Sequence, residues 1–301
     1  RISAPGFFSD PMIRKAYCGA EFTARPWYTV FCVRKSCQVR SVNPLTLLSS
    51  ILLGVVQGVT EFLPVSSSGH LAIAEHLLNI SGASSSTPFF DVLLHLGTLF
   101  AVFAAYWEDI RDMVLEFFYG VSDLLHGATT NRVPPARRMI LLIIVGTLPL
   151  FAVLPIKDTI ETLGDNMYFV AFALLVTGCL LFASDHVRRG RKTERSASML
   201  DALLVGVGQA VATCPGISRS GTTITAGCFV GFDRKFAVRY SFLMSIPAIL
   251  GANILSFKDA LEGEVLWTEV PVYLIGVAVS ALVGYACIRL IKLVADKGKF
   301  G

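Results

Sequence analysis

The chain has 301 residues, of which 53% are apolar and only 16% are Asp, Glu, Lys or Arg. A soluble globular domain carries roughly 25% charged residues, so this chain lacks the polar side chains that would cover its apolar mass in water. The mean hydropathy is +0.63 and the formal net charge is only +4. The basic residues lie in short clusters between apolar runs, which is typical of membrane-facing loops and not of a nucleic-acid-binding surface. The composition therefore excludes a disordered chain and predicts a polytopic membrane protein.

Residues 1–44 differ from the rest of the chain. They are basic and show no sustained apolar run and no helical period, so they predict an irregular N-terminal arm outside the main fold. We expect this arm to be a tag, a leader or an extended reading frame.

Nine apolar segments follow the arm, and five of them are long enough to cross a membrane, which takes about 17–20 residues. These five are 89–107, 139–155, 167–183, 236–257 and 270–288. The other four form two pairs, each interrupted by residues rich in Ser, Gly and Pro: 45–63 with 71–80, and 199–213 with 222–232. Such a pair predicts a re-entrant hairpin, in which irregular backbone at membrane depth is shielded by protein.

The two interrupted pairs are related in sequence. When residues 54–69 are aligned with residues 206–221, seven of the 16 positions are identical. This similarity predicts an internal repeat. The first unit, 45–183, has a hairpin and three spans, and the second, 184–301, has a hairpin and two spans. The repeat also predicts a third span for the second unit, which we expect this sequence to lack.

The distribution of Lys and Arg predicts the orientation, because cytoplasmic loops carry an excess of both. Loops 108–138, 184–198 and 233–239 are basic and expected inside, whereas loops 156–166 and 258–269 carry one Lys each and are expected outside. The first hairpin then enters from the outside and the second from the inside. We therefore predict an all-α, polytopic integral membrane protein, built as an inverted repeat of a re-entrant helix hairpin plus transmembrane helices.

The first hairpin carries polar side chains that an apolar segment does not need. Gln57 and Glu61 share one helix face, and a carboxylate inside such a segment is costly and marks a functional site by default. The serine run at 66–69 opens the next helix, whose N-terminus offers N–H groups and hydroxyls to an anion. His70 follows as an acid–base or nucleophile candidate. His95, alone in an apolar span, is expected to be structural.

The second hairpin supplies a positive charge. Arg219 lies between Ser218 and Ser220, with Thr223 in the next helix, and its planar guanidinium matches phosphate oxygens with two parallel hydrogen bonds. The alternative is an arginine that only extends its charge to the membrane surface. A carboxylate, an imidazole, an arginine and hydroxyls in one buried place favour phosphoryl transfer, in which positioning and charge neutralisation supply most of the catalysis.

Two motifs carry a family resemblance. The sequence QGVTEFLPVSSSGH, from Gln57 to His70, and the sequence PGISRSGTT, at 215–223, closely resemble the motifs of the bacterial undecaprenyl-diphosphate phosphatase family, which is linked to bacitracin resistance. The likeness covers about residues 45–294. It implies an inner-membrane enzyme that removes the terminal phosphate of undecaprenyl diphosphate at a site open to the periplasm. Such an enzyme recycles the lipid carrier for peptidoglycan synthesis.

The resemblance also implies roles for individual residues. The family's functional positions fall on Glu61, Ser67, His70, Ser218, Arg219 and Thr223. Glu61, helped by Gln57, is expected to hold a divalent metal, Mg²⁺ or Ca²⁺. The family pattern has Glu or Gln at the position of Gln57, and this chain has Gln. We expect Arg219 and neighbouring hydroxyls to bind the diphosphate: Ser66, Ser218, Ser220 and Thr223.

Several alternatives stay open at this stage. The nucleophile is His70, Ser67 or a water activated by His70. The expected partners are a polyprenyl diphosphate lipid and the membrane, with no nucleic acid, and a homodimer is left open. The alternative function is a secondary transporter or flippase of a phosphorylated lipid, because inverted repeats with broken helices are typical of transporters.

Overall fold

The computed structural model describes residues 22–23, 29–33, 36–40, 45–78, 86–126, 133–187, 189–262 and 269–297. From residue 45 onward these are almost entirely helical, which confirms the predicted all-α fold. The helices are α1 Leu47–Phe62, α2 Ser67–Leu77, α3 Ser86–Ala105, α4 Trp107–His126, α5 Pro135–Phe151, α6 Lys157–Thr162, α7 Met167–His186, α8 Met199–Val211, α9 Arg219–Phe229, α10 Arg234–Glu262 and α11 Val270–Lys297. Two 3₁₀ turns, Leu154–Ile156 and Leu163–Asp165, flank α6.

The described residues of the N-terminal arm form three short strands: β1 Phe22–Thr23, β2 Thr29–Val33 and β3 Ser36–Arg40. They pair antiparallel in the order β1-β2-β3, and Val33 of β2 lies opposite Ser36 of β3. The expectation of an irregular arm was therefore wrong for these residues. β-Branched and aromatic side chains favour strands, and β2 consists of them almost entirely.

The spans predicted from hydropathy coincide with long helices. Among the described residues, four helical stretches are long and apolar enough to cross a membrane: Pro135–Thr162, Met167–His186, Arg234–Ser256 and Val270–Ala295. A fifth span results if α3 is counted together with α4, which bends away from it by 83°. The protein is therefore a polytopic membrane protein.

Helix α4 lies where a loop at 108–138 was expected, so that expectation was wrong. Charged residues interrupt the sequence of α4, so it contains no continuous apolar segment. Most of its large apolar side chains nevertheless lie on one face of the helix. Val114, Phe117 and Leu124 are exposed on that face. Such an amphipathic helix, bent sharply from a span, has the properties of a helix that lies in the membrane interface.

The two hairpins have matching helix bounds. α8 begins 152 residues after α1, and α9 begins and ends 152 residues after α2. Each first helix starts at a capping box, formed by Thr46 in α1 and Ser198 in α8. Each second helix is capped by a serine, Ser66 or Ser218, whose side chain accepts an amide hydrogen three residues on. The second helices therefore begin a few residues before the apolar segments that hydropathy predicted.

The hairpins pack reciprocally between the two units. The first hairpin helix, α1, packs on α11 of the second unit, and α8 of the second hairpin packs on α5 of the first unit. Glycines allow both contacts: a Cβ on Gly54 would lie 2.6 Å from the Gly276 carbonyl oxygen, and one on Gly206 would collide with the Gly146 carbonyl group. This reciprocal packing is consistent with the internal repeat. The opposite membrane orientation of the two units stays a prediction.

Candidate active site

The two polar interruptions of the hairpins meet inside the protein. We call residues 64–70 the first polar stretch and residues 215–221 the second. The Gly216 amide donates to Ser68 Oγ (3.4 Å), and a Cβ on Gly221 would lie 3.2 Å from the Pro64 carbonyl oxygen. Groups about 150 residues apart in sequence therefore form one polar centre.

Glu61 lies at this centre and is buried. Its Oε1 is ion-paired with the Arg219 guanidinium, while its Oε2 accepts hydrogen bonds from Ser67 Oγ (2.6 Å) and Gln57 Nε2 (3.1 Å). His95 Nε2 lies 3.8 Å from the same Oε2. A hydroxyl donating to a buried carboxylate at this distance has the geometry of a nucleophile and its general base.

Arg219 is the first residue of α9. A cation at a helix N-terminus faces the positive end of the helix dipole, which is unfavourable by about 0.3–1 kcal/mol at an exposed site. The Glu61 carboxylate offsets this cost, and Arg219 Nη1 also donates to the Ser245 carbonyl oxygen (3.4 Å). The arginine thus points into the protein and does not extend to the membrane surface.

The hydroxyls of the second polar stretch have two different surroundings. Ser218 Oγ accepts the Gly221 amide hydrogen (3.1 Å) and lies 3.2 Å from Ser220 Oγ, beside the cavity described below. Thr223 is buried one turn further along α9. It donates to the Arg219 carbonyl oxygen (2.8 Å) and pairs with Ser241 Oγ (2.6 Å). Thr223 therefore supports the backbone of Arg219.

Ser66 holds a backbone conformation that is rare for a residue with a side chain, with φ of 74°. Strain of this kind is typical of functional sites. The Ser66 carbonyl oxygen accepts a hydrogen bond from His70 Nδ1 (2.8 Å), which turns the imidazole toward its own helix. Among the described residues that line the cavity, His70 is absent.

A cavity of about 580 Å³ opens from this polar centre. Its polar wall includes six of the predicted site residues: Glu61, Ser66, Ser67, Ser218, Arg219 and Ser220. Its remaining wall is largely apolar, with Leu150, Phe151, Leu154 and Ile254. A charged end joined to an apolar wall fits an amphiphile with an anionic headgroup.

Comparison with known proteins decides the family. Residues 50–301 match the family model described as "Bacitracin resistance protein BacA". The chain belongs to the BacA family.

Curated relatives are similar to this chain over most of their length. A protein named undecaprenyl-diphosphatase from Methanosphaera stadtmanae is 42% identical over 254 residues, which is 82% of this chain and 89% of the relative. One of the same name from Alkaliphilus metalliredigens is 42% identical over 246 residues, 81% of this chain and 89% of the relative. A third, from Halothermothrix orenii, is 38% identical over 259 residues, 85% and 92% of the two chains.

Two polar residues that line the cavity, His95 and Gln209, were not predicted as site residues from the sequence. His95 Nδ1 donates to the Asp91 carbonyl oxygen (2.8 Å), which directs Nε2 toward Glu61. His95 is an ionisable residue in an apolar span, and such a residue indicates a functional site. From the sequence, His95 was nevertheless expected to be structural. For Gln209 the signal was its alignment with Gln57 in the repeat.

The donor set near Glu61 fits a divalent ion that arrives with its substrate. Among the described residues, no three His, Cys, Asp or Glu side chains form a metal cluster. Mg²⁺ is commonly held by one or two carboxylates together with substrate phosphates and waters. Glu61 supplies one carboxylate, and the buried Gln57 Oε1 has no hydrogen-bond partner among the described residues and can serve as a further oxygen ligand.

Proposed function

We propose that the protein hydrolyses undecaprenyl diphosphate to undecaprenyl phosphate and inorganic phosphate. The observation that carries this proposal is the buried contact of Glu61 with both Ser67 and Arg219 at the polar end of a largely apolar cavity. The names of the curated relatives support the same substrate.

Substrate binding begins with an exchange of partners at Arg219. The guanidinium is paired with Glu61. A terminal phosphate entering the cavity offers Arg219 two oxygens in the fork geometry that guanidinium groups prefer. The N-termini of α2 and α9, capped by Ser66 and Ser218, add partial positive charge beside it. Glu61 is thereby released to act as a base.

Ser67 is then the nucleophile that the geometry favours over His70. Its Oγ attacks the terminal phosphorus while its proton passes to Glu61 Oε2, to which it already donates. The bond between the terminal phosphorus and the bridging oxygen breaks, and the lipid monophosphate leaves. After the lipid monophosphate has left, Glu61 loses this proton to solvent and is a carboxylate again. Water then attacks the phosphorus of the phosphoserine and gives a proton to Glu61. The bond from phosphorus to Ser67 Oγ breaks, Glu61 returns the proton to Ser67 Oγ, and inorganic phosphate leaves.

A divalent cation, held by Glu61, the Gln57 amide oxygen and the substrate phosphates, would neutralise phosphate charge. EDTA should abolish phosphate release, and added Mg²⁺ or Ca²⁺ should restore it. Gln57→Glu places a second carboxylate beside the cation, so less metal should be needed for half-maximal activity. An unchanged or raised metal requirement in Gln57→Glu would overturn this assignment.

The orientation of the cavity supports a site that opens to the periplasm of a bacterial inner membrane. Lys157 and Glu161 of α6 line the cavity, and the excess of Lys and Arg elsewhere predicts the segment 156–166, which contains α6, outside. An external site would regenerate the lipid carrier of peptidoglycan synthesis where the diphosphate is released. The transporter alternative has no observation that favours it over hydrolysis.

The experiment is phosphate release from a long-chain prenyl diphosphate by the purified protein in detergent. Glu61→Gln should reduce turnover by at least 100-fold, because it removes the base, with expression and thermal stability retained. Glu116→Gln is a matched control, since Glu116 is ion-paired with Arg137 outside the cavity and should leave turnover unchanged. Ser67→Ala should also prevent phosphoenzyme trapping in acid-quenched reactions. Near-normal turnover of Glu61→Gln would refute the proposed chemistry.

A further inference from the structure

Gln209 is a buried polar residue that the chemistry above does not use. It lies on α8, is 1% exposed and lines the cavity. Neither its Oε1 nor its Nε2 has a hydrogen-bond partner among the described residues. Buried amides are almost always paired because an unpaired one costs free energy, so a fully unpaired amide on a cavity wall indicates a ligand.

The internal repeat explains why this amide is free. Gln209 aligns with Gln57, whose Nε2 is taken up by Glu61 four residues later. The residue four positions after Gln209 is Thr213, whose hydroxyl donates to the Ala210 carbonyl oxygen (2.7 Å). The same residue type therefore supports a carboxylate in the first hairpin and is left to face the cavity in the second.

We propose that Gln209 binds the lipid-linked phosphate of the substrate, the phosphate that remains on the product. This inference rests on the proposed function. The terminal phosphate must lie at Arg219 and Ser67, where it is attacked, so the second phosphate needs a different donor. It carries one negative charge before cleavage and is matched by a neutral amide. It gains a second charge as the bridging bond breaks, and the Gln209 N–H groups stabilise that charge.

The test replaces Gln209 by Leu, which retains the size of the side chain and removes its hydrogen bonds. Loss of a hydrogen bond to a charged group should lower kcat/KM by roughly 10- to 100-fold. Inhibition by a prenyl monophosphate should weaken by about tenfold, while inhibition by inorganic phosphate should stay within twofold, because only the former occupies the Gln209 position. Gln209→Glu should be more damaging, since a carboxylate repels the phosphate.

Thermal stability separates binding from a structural role. Removing an unpaired buried amide should leave the Tm of Gln209→Leu equal to or above that of the wild type. A lower Tm with an equal loss of both inhibitors would assign Gln209 a structural role and overturn the proposal. Weaker inhibition by inorganic phosphate alone would place Gln209 at the terminal phosphate and overturn it as well. If Gln209→Leu leaves kcat/KM and inhibition by both compounds unchanged, the proposal is likewise overturned.

A direct binding measurement keeps this test independent of turnover. Affinity of the purified wild type and of Gln209→Leu for a prenyl monophosphate is compared in detergent, with Thr213→Val as the control one turn away. Thr213→Val should bind as the wild type does, because the Thr213 hydroxyl already bonds to the helix backbone. If the wild type binds the monophosphate but releases no phosphate from the diphosphate, the proposed function fails while the Gln209 site is still tested.

Discussion

The two acceptors of the Arg219 guanidinium, Glu61 and the Ser245 carbonyl oxygen, define what a substitution would lose. Arg219→Lys keeps the charge but cannot bond a phosphate through two parallel N–H groups. Since a charge-assisted hydrogen bond contributes about 1.5–3 kcal/mol, we expect kcat/KM to fall roughly 10- to 100-fold. Arg219→Ala should be worse, because Glu61 then loses its partner and the phosphate loses its cation.

Arg289→Lys is the control for that measurement. Arg289 bonds the Tyr285 hydroxyl on the exposed surface of α11 and should tolerate Lys with unchanged kcat/KM. If kcat/KM of Arg219→Lys is within twofold of the wild-type value, Arg219 supplies only its charge and makes no pair of parallel hydrogen bonds to the phosphate.

At the scale of elements, the hairpins depend on close contact of backbones. Gly54→Ala and Gly206→Ala each place a methyl group against a carbonyl of a facing helix. Such overpacking costs about 1–3 kcal/mol of folding free energy, so both variants should have a Tm in detergent that is lower by several degrees. Gly178→Ala in α7 meets no atom within 4 Å and should leave the Tm unchanged or raise it, because Ala favours helices. Equal behaviour of the three variants would contradict the packing described.

The start of α8 predicts a pH dependence of stability. Burial raises the pKa of the Asp201 carboxyl, but hydrogen bonds from Lys192 (2.8 Å) and the Ser198 amide (2.8 Å) outweigh it, so the pKa of Asp201 lies below that of an ordinary aspartate. The resulting stabilisation is complete above the ordinary pKa and is lost as the pH falls through it toward the folded-state value.

The Tm of the wild type should therefore fall more steeply than that of Asp201→Asn between about pH 5 and pH 3. Lys192→Met should show the same shallower dependence, because it removes the partner that lowers the pKa. Parallel Tm profiles for the wild type and both variants would show that this cap contributes nothing pH-dependent.

At the scale of the whole molecule, the charge pattern and the cavity together predict sidedness. In a cysteine-free background, Thr159→Cys in loop 156–166 should react with an impermeant thiol reagent from outside intact cells. Arg195→Cys in loop 184–198 should react only after permeabilisation. Both positions are exposed, so differences in labelling report the side of the membrane. Labelling of both from the same side would rule out the inverted repeat.

Local pattern was enough to predict the spans, the paired short helices and most of the residues that the fold brings together in the candidate site. Length and hydropathy identified the spans because a membrane demands about 20 apolar residues, and Glu61 and Arg219 were conspicuous because charge is costly in apolar segments. The amphipathic helix α4 escaped, since its apolar residues are spread around polar ones and form a face only once the helix is built.

The sequence by itself determined which polar groups this protein carries in its apolar segments, whereas only the tertiary structure decided how they are paired. The alignment of Gln57 with Gln209 says nothing of their different environments, because one faces Glu61 and the other faces the cavity. His70 follows the serine run in sequence but turns toward its own helix, while His95, 34 residues after Glu61, reaches the carboxylate from α3. Such contacts depend on how helices cross, and helix crossing is set by packing between segments that are distant in the chain.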